Sequence, residues 1–216
     1  MVSGKYVFNN LCGMFLRVQQ ALQEAFMSNH GTFLGTAKTE WLVDPNGKDR
    51  DMQLLEDFKF SDPDGKIWLA PRGSVINGAS IPRPLWVTVG SPYTDDYRRA
   101  SIVHDVAVNT SSISRKDADV MFYHACIAGG CSKSQAKLLY AGVRVGAWAG
   151  RVIAPSRLEK TRLLFRIPFK PISDERFIQD KFQDIANAII SLPDDAPISN
   201  LDVIIDEHIS FDQHSQ

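Results

Sequence analysis

HDVAVNTSSISRKDADVMF, residues 104–122, is the stretch on which the fold turns. It closes one apolar-periodic run at Val108, crosses a polar turn and opens another run after Ser114. Ser114-Arg115-Lys116-Asp117 has the form of a capping box with Asp in place of Glu, which predicts a helix from Ser114 to about Ala128, stopped by Gly129-Gly130. Upstream, the same periodicity predicts a helix from about Tyr97 to Val108, with Asp95 or Asp96 as its cap. Downstream, Ser132 and Gln135 form an S-x-x-Q start for a third helix to about Trp148. Connections this short predict antiparallel neighbours.

Helical spacing lines up Ala100, Val103, His104 and Ala107 on the first helix, and Asp119, Phe122, Tyr123 and Cys126 on the second. Where those stripes face each other, Asp119 meets His104. A carboxylate there accepts the Nδ1–H of the imidazole and leaves Nε2 to take a proton from water, the arrangement of a general base. Asp105 projects about 100° around the helix from His104. It faces the preceding loop, where Asn77, Gly78 and Ala79 are candidate carbonyl donors to a hard cation such as calcium. A cation so placed polarises an ester carbonyl. The competing reading is a semi-buried His bonded to a neighbouring Asp for structure alone, with Asp117 a dipole and capping residue.

Working outward, residues 31–72 form a small β region. GTFLGTAKTEWLVD alternates loosely up to Pro45-Asn46-Gly47, and MQLLEDFKF and KIWLAP read as two strands joined by a turn at Asp62-Pro63-Asp64-Gly65. Residues 73–94, containing GSVINGASIPRPLW, read as a functional loop. Arg83 and Trp86 from this loop, with Tyr123, are the candidate substrate contacts; Trp86, Tyr93 and Trp148 are possible anchors for a protein partner. Residues 1–30 read as an amphipathic helix docked on the core. Residues 151–216 read as an appendage, basic then acidic, with a helix at IQDKFQDIANAII and a short strand or frayed tail at NLDVIIDEHISFDQHSQ. The expected class is α+β: an antiparallel β region, then an antiparallel three-helix core spanning 95–149 within a domain of 31–150.

The totals narrow the functions. A formal net charge of −1 over 216 residues argues against a nucleic-acid surface. Cys12, Cys126 and Cys131 give neither a disulfide framework nor a thiolate zinc site. No stretch reads as a transmembrane helix or a signal peptide. His124 falls off the stripe of Asp119, and His30, His208 and His214 read as surface residues, so a metal phosphohydrolase lacks ligands. Arg144 reads as a salt-bridge residue, with contact to a substrate phosphate as the alternative.

Several pieces between about Met52 and Trp148 carry a family resemblance. They are MQLLEDFKF, the W-x-x-P of Trp68–Pro71, NGASIPRPLW, the G-x-P of Gly90–Pro92, Tyr97 followed by AS-x-x-HD, ADVMFY and AKLLYAGV. Together they resemble the phage- and prophage-associated family known as domain of unknown function 1353. That resemblance implies a phage or prophage setting, cytoplasmic or phage-associated, and no established activity; the family pattern usually has Asp where this chain has Asn77.

A shorter resemblance is to phospholipase A2 enzymes, which pair HD-x-x-Y on one helix with AD-x-x-F on the next. His104-Asp105 and Ala118-Asp119-Val120-Met121-Phe122 fit that form, with Val108 in the Tyr position, a shorter linker and no Y-x-G-x-G loop. By this resemblance His104 is the general base, Asp105 the calcium ligand and Asp119 the residue that orients the imidazole. The expected function is a hydrolase of phospholipid or another ester. The alternative is a non-catalytic phage assembly or host-modulating protein, bound to a phage or host partner, whose His-Asp pair is structural.

Overall fold

The computed structural model describes residues 29–43, 51–78, 81, 82, 85, 88, 96–152 and 174–210. The predicted N-terminal helix, Arg83, Trp86 and Tyr93 lie outside the described residues.

The described strands form two antiparallel sheets. One has the order β1 (Thr32–Leu34), β4 (Phe58–Ser61), β5 (Ile67–Ala70), and the other β2 (Thr39–Trp41), β3 (Met52–Leu54), β6 (Val75–Ile76). MQLLEDFKF, expected as one strand, is broken at Leu55-Glu56-Asp57, and its halves serve different sheets. The β4–β5 turn forms where the Asp-Pro-Asp-Gly chemistry placed it. Asp62 Oδ1 accepts the backbone N–H groups of Asp64 (3.1 Å) and Lys66 (2.9 Å), while Oδ2 accepts Trp68 Nε1–H (2.8 Å). That turn fixes the register Phe58↔Ala70 and Phe60↔Trp68 and sends all four side chains inward. Fully burying each Phe contributes roughly 1.5–3 kcal/mol.

Three helices follow: α1 (Arg98–Val108), α2 (Arg115–Gly129) and α3 (Lys133–Val152). Ser114 caps α2 by accepting the N–H of Asp117 at 3.0 Å, and Ser132 accepts the N–H of Gln135 at 3.1 Å at the start of α3. The expected Asp cap on α1 is not found: Tyr97 holds that position with no side-chain cap. Helix α1 packs on β4, β5 and β6 with one side and on α2 with another, and α2 packs on α3.

Two further helices, α4 (Asp174–Ile190) and α5 (Ile198–Ser210), cover α3. The segment expected as a strand or frayed tail is therefore helical over Ile198–Ser210. Its Leu201, Ile205 and Ile209 recur every four residues and are buried, the spacing of a helix face. Polar contacts fix its register. Tyr140 Oη donates to Asp202 Oδ1 (2.6 Å), Arg144 pairs with Asp202 and Asp206, Lys116 pairs with Asp202, and the buried Lys137 donates to the Pro193 carbonyl. Arg144 is thus a salt-bridge residue, and Trp148, 1% exposed, is core. The architecture is α+β. Among the described residues no helix is long and apolar enough to cross a membrane.

Candidate active site

The end of α1 and the start of α2 bring His104 and Asp119 together in a dry interior. His104 is 0% exposed and Asp119 1%, and Nε2 lies 2.7 Å from Oδ1. The ring of Phe122 packs against the imidazole at 4.7 Å between centroids. Burial is the largest influence on His104 and holds its pKa below the ordinary imidazole value, against the pull of the Asp119 carboxylate. The resting ring is therefore neutral. Since an ionised carboxylate only accepts, Nε2 carries the hydrogen and Nδ1 the lone pair.

This reverses the nitrogen assignment expected from the sequence. Helical periodicity put the two side chains on facing stripes, but which ring nitrogen reaches the partner depends on the rotamer and on how the helices cross. Nδ1 of His104, Oδ2 of Asp119 and Nη2 of Arg115 are buried without a hydrogen-bond partner. Three such atoms in one cluster are unusual in a folded interior and call for a water, an ion or a chemical role to account for them.

Arg115 is the residue that the sequence reading missed. Its Nε donates to Asp119 Oδ1 at 3.1 Å from one helical turn earlier. The i,i+4 spacing of Arg and Asp was its signal. The guanidinium holds the Asp119 carboxyl in place beside His104, while its own positive charge acts against an imidazolium there and the Asp119 contact acts for one.

Asp105 points the other way, as its position on α1 requires. It is 4% exposed, and its Oδ2 accepts the N–H of Asn77 at 2.7 Å, with the N–H of Gly78 also bonded to the carboxylate. Asn77 and Gly78 are in place but present N–H donors to Asp105, and Ala79 lies outside the described residues. A calcium ion needs carbonyl and carboxylate oxygens gathered around it. Among the described residues no group of three or more His, Cys, Asp or Glu side chains could hold a metal. The donor set of the described residues at Asp105 does not fit calcium.

Burial raises the Asp105 pKa from 3.8 to about 6, with the Asp51 carboxylate adding to the shift and the Asn77 and Gly78 N–H groups opposing it. Between those two values the folded protein keeps a proton that the unfolded chain has lost, so stability falls as pH rises through the window. The loss is about 3 kcal/mol, is absent below the lower value and is complete above the upper one. Asp105→Asn is expected to remove this slope. Urea midpoints at intervals from pH 3.5 to 7 for both proteins check it, and parallel curves would show that the carboxylate carries no such penalty.

Tyr123, a candidate substrate contact, lines a cavity with His30 and His124. His30 is half-buried against His124, so its expected place on the open surface is corrected. His208 is also half-buried, with Nδ1 bonded to the Ile204 carbonyl oxygen, whereas His214 lies outside the described residues.

Two curated relatives share sequence with this chain, both from Sinorhizobium fredii (strain NBRC 101917 / NGR234). Uncharacterized protein y4jT is 33% identical over 119 residues, covering 55% of this chain and 33% of the relative. Uncharacterized protein y4iH is 36% identical over 102 residues, covering 47% of this chain and 43% of the relative. The chain thus spans less than half the length of either. No solved structure matches it. Residues 52–143, the segment that contains both members of the dyad, match the family described as protein of unknown function, DUF1353.

Proposed function

We propose that the His104–Asp119 pair is the general-base dyad of an ester hydrolase acting on phospholipid, as the phospholipase A2 resemblance implies. The observation that carries this reading is the neutral, buried imidazole tied to Asp119 through Nε2, with its basic Nδ1 unpartnered. In this reading a water O–H gives its proton to Nδ1 while the oxygen attacks the acyl carbonyl. Collapse of the tetrahedral intermediate breaks the C–O ester bond, and the imidazolium returns the proton to the leaving alkoxide. The products are a fatty acid and a lysolipid. Asp119, held by Arg115, orients the ring and stabilises its charged form. No step passes through a cation. A phage or prophage setting would direct such an activity at a host membrane.

The experiment is fatty-acid release from mixed phospholipid vesicles, with calcium and with chelator, by wild type and His104→Gln. Gln can still donate to Asp119 but cannot serve as a base. The expected result is release that survives the chelator and falls at least about 100-fold in the variant. The complete burial of both members favours a second reading, a structural pair in a non-catalytic phage or host-modulating protein. A folded wild type that releases nothing from any lipid would establish that one.

A further inference from the structure

A second pair of imidazoles meets away from the dyad. His30 lies in the turn before β1 and His124 on α2, 94 residues later, yet their Nδ1 atoms are 2.9 Å apart. The ring centroids are 5.2 Å apart and the planes are tilted by 33°. The pair opens on a cavity of about 290 Å³, also walled by Tyr123, Lys133, Asp194 and Pro197. Burial and then Lys133 lower the His30 pKa. Burial and then His30 lower that of His124 to about 4, while the carboxylates of Asp62 and Asp64 in the β4–β5 turn pull it upward. Burial therefore favours the neutral form of both rings, the form in which imidazole binds metals, and the carboxylates of Asp62 and Asp64 lie within electrostatic reach of His124.

We propose that His30 and His124 form a binding site for a late first-row divalent cation, Cu²⁺ or Ni²⁺ ahead of Zn²⁺, held by the two Nδ1 atoms and completed by water in the cavity. The observed 2.9 Å is that of an N–H···N hydrogen bond, which brings both nitrogens within reach of a single cation, and with imidazole ligands the order of intrinsic affinities favours Cu²⁺. Binding turns each ring so that the lone pairs converge. The ring that donated the Nδ1–H loses that proton and gains one at Nε2, so no net proton is released. Because no third His, Cys, Asp or Glu converges among the described residues, the protein contributes two ligands and leaves positions open to water or a small exogenous ligand. This site goes beyond the ester-hydrolase reading and does not depend on it.

The test is calorimetric titration of the full-length, chelator-treated protein with Cu²⁺, Ni²⁺ and Zn²⁺ in turn, with electron paramagnetic resonance of the Cu²⁺ complex. The proposal expects one equivalent bound, hyperfine splitting from two nitrogens, and at least tenfold weaker binding in both His30→Gln and His124→Gln. Binding should be unchanged in His104→Gln. His30 sits in a turn, so His30→Gln keeps the test decisive should His124→Gln fold poorly. Equal affinity in wild type and the His30→Gln variant, a one-nitrogen spectrum, or loss of binding in His104→Gln would each overturn the site. In the last case the metal belongs to the dyad.

Discussion

Asp119→Ala is expected to lower the free energy of unfolding by about 3–5 kcal/mol, measured by urea denaturation at pH 7. The reason is what the truncation leaves behind. His104 Nε2 and Arg115 Nε both donate to Oδ1 of a side chain that is 1% exposed, and both lose their acceptor together. The imidazole N–H left in a dry interior carries its full desolvation cost, and the guanidinium, on a side chain 36% exposed, carries part of one. Asp119→Asn keeps an oxygen at that position and loses only the charge, so about 1–2 kcal/mol is expected. The contrast between the two variants separates charge from hydrogen bonding. A loss below about 1 kcal/mol for Asp119→Ala would mean that water reaches the cluster. That result would strengthen a hydrolytic reading, because His104 Nδ1 would then share the access. A loss of the expected size, together with a folded wild type that releases no fatty acid from any lipid, would leave the pair as a packing device.

Local signals made the helices readable and left the sheets half-read. Ser114 and Ser132 are caps whose hydrogen bonds follow from the sequence three residues on, so the starts of α2 and α3 were legible. The same is true of the His104–Asp119 contact, because a short polar turn between two helices forces the end of one beside the start of the next. The split of MQLLEDFKF was not legible. Its apolar residues are compatible with one strand, and only the competition between two sheets for Met52 and Phe58 shows the break. Helix α5 was misread because its consecutive Val203, Ile204 and Ile205 have the β-branched character of a strand. What decided the matter was tertiary: α3 and α4 offer that stripe a buried face, and Arg144 and Tyr140 anchor Asp202. The His30–His124 contact had no signal at all, since nothing local to either residue specifies a partner 94 positions away.

Gly31→Ala is expected to cost about 4 kcal/mol, the second of the two largest effects, read from thermal and urea unfolding. Two independent terms combine. The residue has φ +91°, where an L side chain is strained, and a Cβ there would stand 2.2 Å from the Ser61 carbonyl oxygen and 2.8 Å from Cζ of Phe60. Both neighbours are held, Ser61 by its pairing with Thr32 and Ile67 and Phe60 by full burial. Gly65→Ala is the control: it shares the positive φ, at +79°, but its Cβ would meet nothing within 4 Å, so only the backbone term of about 1–2 kcal/mol applies. The difference between the variants measures how firmly the chain is pressed against β4 just before β1. That pressure fixes the turn bearing His30 and therefore its approach to His124. Should Gly31→Ala cost no more than Gly65→Ala, β1 can slide away from β4. The two imidazoles would then be a passing contact, with no preformed geometry to offer a metal ion.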